Sequence, residues 1–361
     1  MGNHLKQTIV IDLGSGDTKV GLAEEDYPSC TIPTRISCDE STTKGFYFDQ
    51  SAISSEECTY PIHHGIIQNF EHVESLLEHV FSKELCLKPQ DHPLLLTQPP
   101  KNPQRDKEKL AEMMFEKFAV PALYEEIHSV LTFNAAGRST ALIVESGHGV
   151  TSVVPILSGY VISDAVLRLD VGGGDIDQYL AKILSEKSQE CEIRPEEARI
   201  LKENLCYVPD CGSAEIEEES YLLPDGRRVV LGQERVLATN PLFQPFLVEQ
   251  YDTPGIHEMI FQSIFKCSVD LRRAFANNVI LSGGNTLFNG IEDRLKQELE
   301  TRVPPTMKVN VIASKDRNIF VWRGGSILGS LSTFVKNICI SRTEYEEFGI
   351  SVIRKKCANQ F

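Results

Sequence analysis

A chain of 361 residues with 41% hydrophobic and 24% charged side chains is expected to fold as two or three ordinary globular domains. Its net charge of −15 argues against wrapping nucleic acid, which requires clustered Lys and Arg. The ten cysteines show no Cys-x-x-Cys pair or Cys/His ligand spacing, so zinc is not expected, and thiols such as Cys30, Cys86, Cys206, Cys267 and Cys339 read as reduced. No signal peptide and no bilayer-length apolar stretch is read, and Lys6 stands where a myristoylation motif needs Ser or Thr.

In chain order, residues 8–22 read as a hairpin around the turn Asp12-Leu13-Gly14-Ser15-Gly16. The polar tract 28–57 reads as a loop-rich excursion and a poor core. A turn at 60–65 precedes an amphipathic helix over 71–84, and His92-Pro93 opens the strand 94–96. A second helix, 106–118, places Leu110, Met113, Met114 and Phe118 at helical spacing. The strand 141–144 then enters the turn Glu145-Ser146-Gly147-His148-Gly149 and returns through 150–154. Helices follow at 175–187, 195–204 and 257–273. The strand 278–281 runs into Ser282-Gly283-Gly284-Asn285, ahead of a helix at 289–301. A last helix continues from Val321-Trp322 through Phe334 to a polar tail. Strand and helix alternate with no low-complexity linker, which predicts an α/β protein.

The two turns are the most informative local feature. Each is strand, acid, x-Gly-x-Gly, strand, and glycine there allows close approach while successive N–H groups form an anion-binding concavity. One copy would be an ordinary hairpin; a repeat with an acid at the same offset points to a polyphosphate clamped between two halves of the protein. The Walker signature is absent, and no Gly-x-Gly-x-x-Gly opens a helix as a dinucleotide site requires.

Longer words carry more. Tyr60-Pro61-Ile62, His64-Gly65, His92-Pro93-Leu94-Leu95-Leu96-Thr97, Met114-Phe115-Glu116 and Leu167-Arg168-Leu169-Asp170 occur in order. They are followed by Lys202-Glu203-Asn204-Leu205-Cys206-Tyr207-Val208, Leu223-Pro224-Asp225-Gly226, Leu242-Phe243-Gln244-Pro245 and Leu281-Ser282-Gly283-Gly284. Val321-Trp322, Gly324-Gly325-Ser326-Ile327-Leu328 and Leu331-Ser332-Thr333-Phe334 complete the series. Over nearly the whole chain these words resemble actin and the actin-related proteins, of which this chain is a divergent member.

The resemblance implies two duplicated α/β lobes of the actin, Hsp70 and sugar-kinase type around a nucleotide cleft, in four subdomains. The first would comprise 1–33, 61–135 and 320–361, with 34–60 a small shortened second. Residues 136–171 and 253–319 would form the third, and 172–252 the fourth. It also implies ATP or ADP with Mg²⁺ or Ca²⁺. Gly14, Ser15, Gly16 and Lys19 would hold phosphates from the first lobe, and Gly147, His148, Gly149 and Val150 from the second. Gly173, Lys202 and Glu203 would flank ribose and base, while Gly283, Gly284, Asn285 and Phe288 would close the adenosine pocket. Asp12 and Glu145 would hold the cation through water.

Departures from the family fall on the chemistry. Actins carry Gln at the position of His128, Asp at Glu145 and His148, His at Ser152, and Lys at Asn318. An ångström-scale misplacement of a catalytic group costs on the order of 10²-fold, and a lost water-orienting partner roughly 10²–10⁴-fold. Hydrolysis is therefore expected to be slow or absent, with His128 and Glu145 as a rearranged water-activating pair the contrary reading. The excursion before Tyr60, the stretch 210–219 and the segment 246–252 also differ from the family's subunit contacts, which predicts weakened or altered self-polymerisation. The tail 354–357 keeps the family's basic-cysteine ending, extended by 358–361. A cleft lined by Gly325, Ser326, Ile327 and Leu331 is expected to receive partner helices.

Together these imply an ATP-binding cytoskeletal protein acting through protein assembly, with actin-like subunits or actin-binding proteins as partners. A non-polymerising scaffold subunit of a chromatin-remodelling or motor-adaptor complex is the alternative, and the actin words count against a small-molecule kinase. No direct nucleic-acid contact and no membrane insertion are expected. The expected place is the cytoplasm and its cytoskeleton, with the nucleus as the alternative.

Overall fold

The structure, a computed structural model, describes residues 6–38, 46–47, 58–187, 192–209, 216–248 and 252–356. The chain divides into two compact units, 1–138 with 319–361, and 139–318.

The first unit is built on a six-stranded sheet. Its strands are β1 (Ile9–Leu13), β2 (Asp17–Leu22), β3 (Cys30–Pro33), β4 (Leu94–Gln98) and β5 (Ala122–Ile127), in the order β5-β4-β1-β2-β3, with the short strand Ile340–Ser341 beside β5. β1 and β2 form the hairpin, Asp12 opposite Lys19, and β1, β4 and β5 run parallel. Every residue of β1 and β4 is buried, as expected for central strands covered on both faces. Ile9, Ile11, Leu94 and Leu96 pack with Val73, Leu76 and Leu77 of the helix Phe70–His79 and with Leu110 of the helix Gln104–Glu112. Val10 and Leu95, one residue out of phase, pack instead with Leu131, Val321 and Trp322.

Leu131 belongs to the helix His128–Ala136 and Trp322 to Phe320–Gly329. These two helices cross so closely that a Cβ on Gly324 would collide with the Leu131 carbonyl. Trp322 Nε1–H donates to the Val10 carbonyl at 3.2 Å, satisfying its only polar atom in the core.

The second unit repeats this arrangement. The strands of its main sheet are β6 (Thr140–Ser146), β7 (Thr151–Leu157), β8 (Tyr160–Val161), β9 (Leu167–Leu169), β10 (Val279–Ser282) and β11 (Val311–Ile312). The order is β8-β7-β6-β10-β11, with β9 also on β7. β6 and β7 form an antiparallel hairpin with Glu145 opposite Ser152, and β6, β10 and β11 are parallel. In each unit, then, the first strand turns back on the second and continues the sheet through two parallel strands on its other side. Leu142, Val144 and Leu281 pack with Leu180, Leu201, Ile260 and Leu295 from four helices of this unit.

Several predicted elements are corrected. Part of the tract read as a poor core is core: β3 closes the sheet edge, with Ile32 and Ile36 both buried. The helix predicted over 257–273 is two, Ile256–Lys266 and Val269–Ala276. Cys267 and Ser268 are extended at the break, where Arg272 donates to the carbonyls of Phe265 and Cys267 at 2.8 and 3.1 Å. Those carbonyls, orphaned by the helix end, are thus satisfied by a side chain. The helix at 320 stops at Gly329, short of Phe334. Most of the expected excursion, 39–45 and 48–57, lies outside the described residues, as do 210–215, 249–251 and 357–361.

Candidate functional site

In the first unit the turn between β1 and β2 brings Asp12, Gly14, Ser15, Gly16 and Lys19 together at the carboxyl end of β1. Asp12 is buried, and its carboxylate is enclosed by donors. Thr97 Oγ1–H donates to Oδ1 at 2.7 Å, Lys19 Nζ lies 3.3 Å from Oδ2, and His128 Nε2 lies 3.7 Å from Oδ1. Burial pushes this carboxyl up, but Lys19, His128 and Thr97 outweigh it and hold Asp12 below the ordinary range.

His128 heads its helix, directly after β5. Its Nε2 lies 3.1 Å from Thr97 Oγ1. Because the threonine proton already goes to Asp12, the imidazole nitrogen must be the donor in that contact, which fixes a proton on Nε2. Ser15 is held from outside the turn, its Oγ accepting from the Gly65 N–H at 2.9 Å.

The second unit builds a similar turn with other braces. Ser146 Oγ and Thr151 Oγ1 are 2.8 Å apart across the hairpin, and Thr151 donates to the Val171 carbonyl at 2.8 Å. Asn285 Nδ2 donates to the Gly147 carbonyl at 2.8 Å and to Ser146 Oγ at 3.2 Å, tying the loop after β10 to this turn. Gly283 has φ +87°, and a Cβ there would strike the Ser146 carbonyl, so the approach requires glycine. Glu145 is buried at the end of β6.

The turn rests on the start of the helix Gly173–Lys187. Gly173 and Gly174 N–H groups donate to the carbonyls of Gly147 and His148 at 2.9 and 2.8 Å. A Cβ on Gly174 would lie 2.9 Å from His148 Nε2, so the imidazole occupies the space of the missing side chain. Around Gly173 converge Asn285, Lys202 and His148, at 2.9, 3.1 and 3.4 Å from where its Cβ would be.

The expected residues differ in how they are placed. Lys202 is buried and committed, 2.7 Å from Asp177 Oδ1 and donating to the Gly173 carbonyl at 3.0 Å. Glu203 is exposed and pairs with Arg199 at 2.9 Å. Phe288 packs in the core of this unit. Of the expected helix-binding cleft, Gly325 and Ser326 are buried, with Ser326 donating to the Glu25 carbonyl; only Ile327 and Leu331 are exposed. Thr97, Gly174 and Asp177 were missed as site residues, although Thr97 ends one of the words that carry the resemblance.

Anion chemistry fits both turns. Among the described residues no protein acceptor takes the N–H groups of Ser15, Gly16, Gly149 or Val150, and a Cβ on Gly284 would meet open space. A directly ligated metal does not fit: no group of three or more His, Cys, Asp or Glu converges among the described residues. No helix among them is long and apolar enough to cross a membrane.

Two α/β units of matching topology, each with an acid ahead of a glycine turn at the end of its first strand, define a duplicated two-lobe fold. The family model for actin matches residues 4–200 and 194–358, and the chain belongs to the actin family.

Proposed function

We propose that this protein binds ATP, with Mg²⁺ or Ca²⁺ on the phosphates, and acts as an actin-like cytoskeletal subunit through protein assembly, hydrolysing ATP slowly or not at all. The carrying observation is the repeated turn, with backbone N–H groups left open in both units. Lys19 adds a cation in the first unit, already balanced by Asp12. With no cluster of ligating side chains among the described residues, a cation would be held by the phosphates and by water, the carboxylates of Asp12 and Glu145 acting at one remove.

Slow turnover follows from His128. Actins carry Gln at this position, and Nε2, the ring nitrogen whose role the contact sets, donates to Thr97 and so does not take a proton from water.

The nucleotide released on denaturing gently purified protein tests both parts. ATP is expected. ADP would overturn the slow-hydrolysis reading, and no nucleotide would overturn the binding reading. Sedimentation of a concentration series in filament-promoting salt, alone and with actin, tests assembly; absence of any pellet in both would favour the scaffold role.

A further inference from the structure

Lys202 and Asp177 are both buried, 2.7 Å apart, on the neighbouring helices Pro195–Leu205 and Gly173–Lys187. A buried ammonium needs such a partner, because removing one member of a buried pair leaves an uncompensated charge and is strongly destabilising. The same Nζ also donates to the Gly173 carbonyl at 3.0 Å. One cation thereby fastens the first residue of a helix and the residue one turn along it to the adjacent helix.

Gly173 is in turn fastened to the phosphate-type turn. Its N–H donates to Gly147, and the next N–H donates to His148. Gly172 approaches that turn so closely that a Cβ would strike the His148 carbonyl, which leaves no slack in the contact. The path Asp177, Lys202, Gly173, Gly147 is continuous, lies within one unit, and contains a single pair of opposite charges.

We propose that the Asp177–Lys202 pair is a pH-sensitive clamp that positions the turn at 147–150, holding it while Asp177 is ionised and loosening it when Asp177 takes up a proton. Its bearing on nucleotide rests on the function proposed above; its effect on the turn does not.

Burial pushes the Asp177 carboxyl up to about 6, against the attraction of Lys202, which places the change just below neutral pH. Arg199 and Glu203 also face Asp177 from the second helix, with Glu203 already paired to Arg199. The Cys206 thiol, pushed up to about 12 by burial, stays neutral. On the clamp's own helix Asp175 accepts from the Gly172 N–H at 2.7 Å, and the His148 ring lies against Gly174. When the proton reaches Asp177, the Lys202 side chain loses its charged partner and has only the Gly173 carbonyl to hold. Its drift toward water releases Gly173, and with it Gly147.

Hydrogen exchange of the hydrogen-bonded amides of Gly147, Gly172, Gly173 and Gly174, corrected for intrinsic rates, tests this in the full chain. In the native protein, protection is expected to fall about tenfold or more between about pH 7.5 and about pH 5. Asp177→Asn should show the low protection at both, and Lys202→Arg should keep the native profile. Native protection independent of pH, or unchanged protection in folded Asp177→Asn, overturns the clamp; the native profile decides alone if that variant fails to fold. Release of a fluorescent ATP analogue, followed in parallel, separates the two readings. If the native protein binds no analogue, the nucleotide function fails while exchange still decides the clamp. Altered exchange with unaltered release overturns the clamp's bearing on nucleotide.

Discussion

Thr97 and His128 meet at 3.1 Å, hydroxyl oxygen to Nε2, and the threonine passes its own proton to Asp12. Nε2 of that imidazole is thus held as a donor. Thr97→Val would remove the relay at nearly constant volume and leave the buried Asp12 oxygen short of a donor. An unmade bond to a buried acceptor costs about 1–3 kcal/mol. Denaturant unfolding should show a loss of that size; an unchanged midpoint would place Asp12 in contact with water.

Restoring the family's residues should restore turnover. His128→Gln with Glu145→Asp and His148→Asp is expected to raise phosphate release by about 10²-fold. Single-turnover release at saturating ATP is the measurement. A triple variant as slow as the native protein would mean that these positions do not limit hydrolysis.

His148 and Gly174 should be energetically coupled, since a Cβ on Gly174 meets the imidazole at 2.9 Å. Gly→Ala inside a helix is worth roughly 0.5–1 kcal/mol when space allows. Gly174→Ala should therefore stabilise a His148→Ala background and gain little or nothing in the native one. A double-mutant cycle is expected to give a coupling of about 0.5 kcal/mol or more, and strict additivity would refute the contact.

Gly324→Ala should be among the most damaging small substitutions in the first unit. The new methyl would strike the backbone carbonyl of Leu131, which no rotamer change relieves. Overpacking of this kind costs about 1–3 kcal/mol or more. Because Leu131 shares its helix with His128, a crystal structure of the variant should also show His128 displaced from Thr97.

Glu125 gives the fold a pH dependence of predictable sign. Burial pushes it up to about 8, against attraction from Lys107. A carboxyl raised in the folded state binds more protons folded than unfolded, so stability from this group is full below its unfolded value near 4.5 and falls as pH rises toward about 8. Glu125→Gln removes that titration. The difference between native and variant unfolding free energies should change by a few kcal/mol, on the order of 2–4, across that window. A constant difference would show that Glu125 titrates normally.

The path from sequence to these results was uneven for physical reasons. Apolar runs at β1 and β6, the glycine turns after them and the acid at a fixed offset are local patterns, fixed by residues a few positions apart. They located both hairpins and the duplication. The break at Cys267 was hidden because the helical apolar period runs through it, and what ends the helix is Arg272 turning back onto two carbonyls. The tract 30–36 looked too polar for core because its large buried apolar side chains are only Ile32, from the edge strand β3 that β2 covers, and Ile36 just beyond that strand.

By itself the sequence determined the family, the paired turns and the residues standing where actins carry others, because order along the chain and turn chemistry are local. Tertiary structure alone decided what those residues touch. It set Thr97 between Asp12 and His128 across separations of 85 and 31 residues. It made Lys202, an expected nucleotide contact, the partner of a buried aspartate, and let His148 fill the place of Gly174's absent side chain. A buried charge must find its partner wherever packing brings one, and no spacing in the chain records which partner that is.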